Sequence, residues 1–124
     1  IITNGSVTKW YENGQMKSET KIEDGEANRV TRGWHENGQM SHLVHSKNGK
    51  PHGLVQEWYE NGQMKLDNTY ENGKREGIVR KWYENGQMKA EITSKNDEMN
   101  GLVRSWDENG NLTYEGNAKN GVAQ

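Results

Sequence analysis

Trp82-Tyr83-Glu84-Asn85-Gly86-Gln87-Met88 returns, nearly unchanged, at four other places in the chain. Its tryptophan recurs as Trp10, Trp34, Trp58, Trp82 and Trp106, always 24 residues apart, and one residue further on each is followed by Glu-Asn-Gly, from Glu12-Asn13-Gly14 to Glu108-Asn109-Gly110. A fixed period of about 20 to 50 residues marks stacked supersecondary units. The chain therefore reads as five copies of one unit, 1–24, 25–48, 49–72, 73–96 and 97–120, with 121–124 opening a sixth.

Each unit reads as a β-hairpin. Asn-Gly accepts positive φ at both central positions of a type I′ turn, whose twist matches two antiparallel strands, and here it stands between aromatic and Met positions. Such a turn predicts Glu60 opposite Gln63, Tyr59 opposite Met64 and Trp58 opposite Lys65. A second turn recurs out of phase, at Asp24-Gly25, Asn48-Gly49, Asn72-Gly73, Asn96-Asp97 and Asn120-Gly121, with a further glycine at Gly53, Gly77 and Gly101. It links one hairpin to the next.

Composition agrees with an array rather than a globule. Leu, Ile and Val number about 17 and Phe is absent, below the ~20% that accompanies disorder in strongly charged chains. The net charge is only −2, however, and five Trp, five Tyr and a strict period argue for ordered units that bury their faces against neighbours. Sixteen basic and 18 acidic residues without a basic block give no general attraction for nucleic acid or anionic lipid. No apolar run approaches the ~18 residues of a membrane span, so membrane insertion is not expected. With no Cys there is no disulfide, thiolate nucleophile or Cys-based zinc site. The expectation is a single repeat domain, 1–124, taken from a longer protein, with Ile1-Ile2 in a capping strand or beneath a preceding domain.

Side chains alternate across a strand and paired residues share a face, so the hairpin register sorts the chain onto two surfaces. In unit three, Leu54, Gln56, Trp58, Lys65 and Asp67 fall on face A, and Val55, Glu57, Tyr59, Met64, Leu66 and Tyr70 on face B. Face B is the more apolar and is expected to be the buried side; face A is expected to be wetter and to carry the Trp row. Ten strands form an extended, twisted, single-layer antiparallel sheet with two open edges. Curling, another domain, or self-association as a dimer or trimer would cover them.

The unit running from Asn72-Gly73-Lys74 through Trp82-Tyr83-Glu84-Asn85-Gly86-Gln87-Met88-Lys89 resembles the MORN-repeat variant found in tandem in many bacterial proteins, and the likeness covers essentially the whole chain. The resemblance implies a row of β-hairpins in an all-β sheet, a scaffolding or binding role without catalysis, and for some bacterial members an antitoxin role. The Trp, Tyr, Asn and Gly positions of the motif are structural, so no binding residues are carried over. Unit two departs from the pattern at Arg29 and His35, and unit five at Asp107.

Candidate ligand-binding residues come from the Trp row and from the breaks in the repeat. Trp34, Trp58, Trp82 and Trp106, held at fixed spacing, suit stacking on sugar rings or anchoring an extended partner, with Arg32, Arg80 and His45 beside them. The competing reading has every Trp packed over Lys and Arg stems, closing the sheet. All four histidines, His35, His42, His45 and His52, fall in one segment, but the register divides them between faces and no spacing fixes a third zinc ligand, so no metal is assigned. The turn glutamates are five equivalent groups, whereas acid–base chemistry needs two in unlike environments. Catalytic residues and cofactors are therefore none. The reading is a non-catalytic recognition module of a bacterial protein, exported or at the cell surface as an adhesin or fibre tip contacting a glycan or protein. The alternatives are an antitoxin or immunity protein bound to a cognate toxin, and a structural spacer or oligomerisation element.

Overall fold

The computed structural model describes residues 5–23 and 28–124, which form one open antiparallel sheet with no helix among them. The expected Ile1-Ile2 cap and the Asp24-Gly25 link lie outside the described residues. The strands are β1 (Gly5–Trp10), β2 (Met16–Glu23), β3 (Asn28–Trp34), β4 (Met40–Lys47), β5 (Lys50–Trp58) and β6 (Met64–Glu71). They continue with β7 (Lys74–Arg75), β8 (Gly77–Trp82), β9 (Met88–Lys95), β10 (Glu98–Trp106), β11 (Leu112–Lys119) and β12 (Val122–Ala123). Neighbours in sequence are neighbours in the sheet, as a row of hairpins requires. Twelve strands stand where ten are expected because an irregularity at Glu76 splits one strand into β7 and β8, and the start of the sixth unit pairs as β12.

The hairpin tips correct the expected turn. Gly62 N–H donates to the Tyr59 carbonyl at 3.0 Å and Tyr59 N–H to the Gln63 carbonyl at 2.8 Å, and of the tip residues only Gly62 has positive φ, 88°. This is a three-residue loop, a tight turn closed by a left-handed glycine, and not a two-residue type I′ turn. Trp58 then faces Met64 rather than Lys65, and Glu57 faces Leu66, so Lys65 is an extra residue in a β-bulge. The bulge restores the expected register below it, where Gln56 faces Asp67 and Val55 faces Asn68. The same shift occurs beside Trp10, Trp34, Trp82 and Trp106.

Type I′ geometry is found instead at the links. Asn48 and Gly49 have φ of 52° and 80°, Asn72 and Gly73 of 50° and 86°, and Asn96 and Asp97 of 52° and 70°. Beyond each of these links the strand takes up two surplus residues around Gly53, Gly77 or Gly101, where φ is 101°, 91° and 117°. Arg29 stands in that glycine position in unit two, and there the register runs from Ser18 opposite Gly33 to Glu23 opposite Asn28 without a shift. An arginine does not readily take the left-handed backbone, and at Arg29 the strand pairs regularly, opposite Ile22.

Burial is slight. Ile22, Val79, Ala118, Asn68 and Ser94 are the buried non-glycine residues among those described, and no large side chain is sealed completely. Pairing puts them on face B, since Val79 faces Ile92, Asn68 faces Val55, and Ser94 faces Gly77. Face A carries a polar row across the strands: Gln56 Nε2 donates to Asp67 at 3.3 Å, Arg80 pairs with Glu91 at 3.1 Å, and Arg104 with Glu115 at 3.5 Å. Exposed pairs of this kind contribute about 0–1 kcal/mol each. With so little core, contacts between successive hairpins must hold the array together.

Candidate functional site

Those contacts are built at the tips. The Tyr11 hydroxyl donates to the Trp34 carbonyl at 2.7 Å, Tyr59 to Trp82 at 2.7 Å and Tyr83 to Trp106 at 2.9 Å. His35, in the Tyr position of unit two, keeps the bond: its Nε2 lies 2.9 Å from the Trp58 carbonyl, and because a carbonyl only accepts, Nε2 carries the hydrogen. A second ladder runs beside the first. Asn61 Oδ1 accepts from Gln63 N–H at 2.9 Å while Nδ2 donates to the Glu84 carbonyl at 2.8 Å, and Asn13, Asn37 and Asn85 do the same.

The tip bulge aims a lysine at the tyrosine. Lys65 Nζ lies 5.6 Å from the centre of the Tyr59 ring, Lys89 Nζ 5.6 Å from that of Tyr83, and Lys17 Nζ 5.7 Å from that of Tyr11, within cation–π range. Where the Tyr is replaced, so is the Lys: unit two has His35 with Ser41, and unit five Asp107 with Thr113. Burial, and after it the Glu84 carboxylate, push the Tyr59 phenol above its ordinary value.

Between one Tyr and the next Trp lies a groove. The one joining the third and fourth hairpins, about 330 Å³, is lined by Tyr59, Trp82, Leu66, Lys65, Lys81 and Lys89, with Glu57 as its acid. The equivalent groove between the first and second hairpins, also about 330 Å³, is lined by Tyr11, Lys9, Lys17, Trp34 and Ser41 among others. A tip recess of about 540 Å³ brings Trp58 and His35 together with Lys65, Glu60 and Glu84. Such walls offer aromatic faces and cations to a ligand that lies along the row.

The sequence-selected residues do not gather in one place. The Trp row does not stand on face A as expected: the tip bulge pairs Trp34 with Met40 and Trp82 with Met88, and both line the grooves with face B residues, while Trp58 lines the tip recess. Trp106 is half-buried, and its backbone carbonyl accepts from the Tyr83 hydroxyl. Arg80 is held by Glu91 on face A, Arg32 sits there between Glu19 and Leu43, and His45 donates through Nδ1 to the Leu54 carbonyl at 3.0 Å beside the Gly53 bulge. The other histidines are likewise engaged: His42 lies over Gly33 with Nδ1 against Ser41 Oγ, and His52 Nδ1 accepts from Asn72 N–H. No group of three or more metal-ligating side chains forms among the described residues. Tyr59, Lys65, Lys81 and Lys89 are the groove residues that sequence reasoning missed; the constant Tyr-to-Lys offset at Tyr11/Lys17, Tyr59/Lys65 and Tyr83/Lys89 was the available signal.

Two carboxylates fasten the later units. The Arg75 guanidinium, 2.9 Å away, followed by the Arg75 backbone N–H, holds Asp97 below its ordinary value. The backbone N–H and then the side chain of Asn111 lower Asp107 in the same sense. A depressed carboxyl stabilises the fold above its unfolded pKa of about 4, and that contribution disappears as pH falls through the lower folded value. Urea midpoints are therefore expected to fall between pH 5 and pH 2.5, about, and less steeply in Asp97→Asn than in the unaltered chain.

The MORN repeat variant model matches residues 3–24, 51–72, 75–96 and 99–120 and passes over unit two, the unit with Arg29 in the glycine position. The chain matches no curated protein and no solved structure. The matched windows cover well over half of the sequence, they coincide with hairpins joined tip to tip, and the chain belongs to the MORN repeat variant family, a non-enzymatic repeat module.

Proposed function

We propose that this chain is a non-catalytic recognition module which takes a glycan or an extended protein segment along its row of tip grooves, in the manner of a bacterial surface adhesin. The observation that carries this reading is the recurrence of one groove, Tyr and Trp walls with a lysine over the Tyr ring, at equivalent positions two units apart. Aromatic faces stack on sugar rings or apolar side chains, and the ammonium groups favour anionic substituents. The turn carboxylates are structurally equivalent to one another and supply no acid and base of differing strength.

The test is retention of the fluorescently labelled protein on a glycan array and on intact bacterial cells, beside Lys81→Glu and Trp82→Ala with folding verified by circular dichroism. Lys81 is exposed, so its charge reversal leaves the sheet intact. A tenfold or greater loss in both variants is expected, corresponding to about 1.4 kcal/mol or more. Absence of retention by the folded unaltered protein would overturn the glycan form. A tight one-to-one complex with a toxin would move the function to an antitoxin, and indifference of every partner to both substitutions would leave a spacer.

A further inference from the structure

The hairpin ladders run in one direction only. At each of the four steps, the earlier hairpin supplies the donors, a Tyr or His ring group and an Asn amide, and the later hairpin supplies two backbone carbonyls, of its Trp and its Glu. The two ends of the array are consequently unlike.

At the donor end, unit five has Asp107 in place of Tyr. Its Oδ1 accepts from the N–H of Asn109 at 2.9 Å and of Asn111 at 3.0 Å, and Oδ2 accepts from Asn111 Nδ2 at 3.2 Å, so the carboxylate closes its own turn. An ionised carboxylate has no hydrogen to give to a carbonyl. The acceptor end has no such closure. Trp10 is 61% exposed, whereas the four later Trp residues are half-buried, and among the described residues β1 pairs with β2 alone. Among the described residues no side chain donates to the carbonyl of Trp10 or of Glu12, and Val7, further along the same strand, is 43% exposed.

We infer that the β1 edge is a docking surface for a β-hairpin carrying the donor pair, a Tyr followed two residues later by Asn, presented by a repeat unit that is not the fifth unit of a second copy. The occupant is set by continuity with an interface already formed four times: its tip would donate to the Trp10 and Glu12 carbonyls, cover the Trp10 indole and extend the sheet by main-chain pairing to β1. Head-to-tail stacking of identical chains is disfavoured, because it would set the Asp107 carboxylate against the Trp10 carbonyl without a hydrogen between them.

The experiment uses the full chain with a copy of residues 73–96 joined ahead of Ile1 through a flexible Gly-Ser linker, which presents the hairpin at millimolar effective concentration, about. The comparison protein carries residues 97–120 in the same place. Hydrogen–deuterium exchange of the 5–10 segment is expected to slow at least tenfold with the 73–96 copy and to stay unchanged with the 97–120 copy. Replacing Tyr83 by Phe and Asn85 by Ala within the added copy should abolish most of that protection. Equal protection by both copies, or by neither, overturns the assignment.

Discussion

Gly101→Ala is expected to cost about 3 kcal/mol of unfolding free energy, and Gly77→Ala about half as much. Both glycines sit in the bulge that follows a link, with φ of 117° and 91°, so an alanine at either position meets a backbone it rarely adopts, at about 1–2 kcal/mol. They differ in what lies beyond. A Cβ on Gly77 meets nothing within 4 Å, whereas one on Gly101 lies 3.1 Å from Thr93 Cγ2 and 3.2 Å from Thr93 Cβ. Thr93 is β-branched and paired in β9, so it has little freedom to step aside. Gly53, where the nearest atom is His45 Cβ at 3.4 Å, should fall between them. Urea midpoints for the three variants check the order, and a Gly77→Ala penalty as large as that of Gly101→Ala would refute the packing half of the explanation.

The second large effect belongs to the tip ladders. Tyr59→Phe removes the donor to the Trp82 carbonyl, and Asn61→Ala removes both the bond to the Glu84 carbonyl and the bond from Gln63 N–H. At about 1 kcal/mol for each bond, the double variant should lose about 3 kcal/mol, roughly two-thirds of it at the junction between the third and fourth hairpins and the rest within the third hairpin's own turn. In a quasi-one-dimensional array, weakening one junction lets the two sides melt separately. The unfolding curve is expected to broaden and to differ between tryptophan fluorescence and circular dichroism. A sharp transition, coincident by both probes, would mean that the sheet's main-chain pairing alone carries cooperativity across this junction.

The period, the hairpins, the faces of the strand interiors and the irregularity at Arg29 were legible from residue identity, because each depends on local chemistry repeated at fixed spacing, whereas the Trp row and Lys65, expected on face A, are carried by the tip bulge to the face B grooves. The turn types were not legible. Both recurring turns contain Asn, and both accept left-handed backbone, so the dipeptide does not distinguish them. What separates them is the use made of the side chain: Asn61 keeps negative φ and gives its carboxamide to its own turn and to the next hairpin, whereas Asn48 takes φ of 52° itself. That relation spans two hairpins and is invisible within one.

The groove was hidden for the same reason. Lys65 reaches Tyr59 only because the tip bulge adds a residue between Met64 and Leu66, which simple alternation does not foresee. Conversely, Arg80 and His45 were candidates for standing beside the Trp row, yet Glu91 and the Leu54 carbonyl already engage them.

The near absence of sealed side chains has a consequence for how such a molecule changes length. A globular domain that gains a segment must accommodate it in an interior already filled. Here a duplicated inner unit brings its own Tyr, Asn and Lys and meets the same two carbonyls that its template met, so unequal exchange within the gene can add or remove whole hairpins while every neighbour keeps its surroundings. Units of the Asp107 type are the exception: copied into the middle, one would interrupt the ring-to-carbonyl series and divide the array into two independently melting halves.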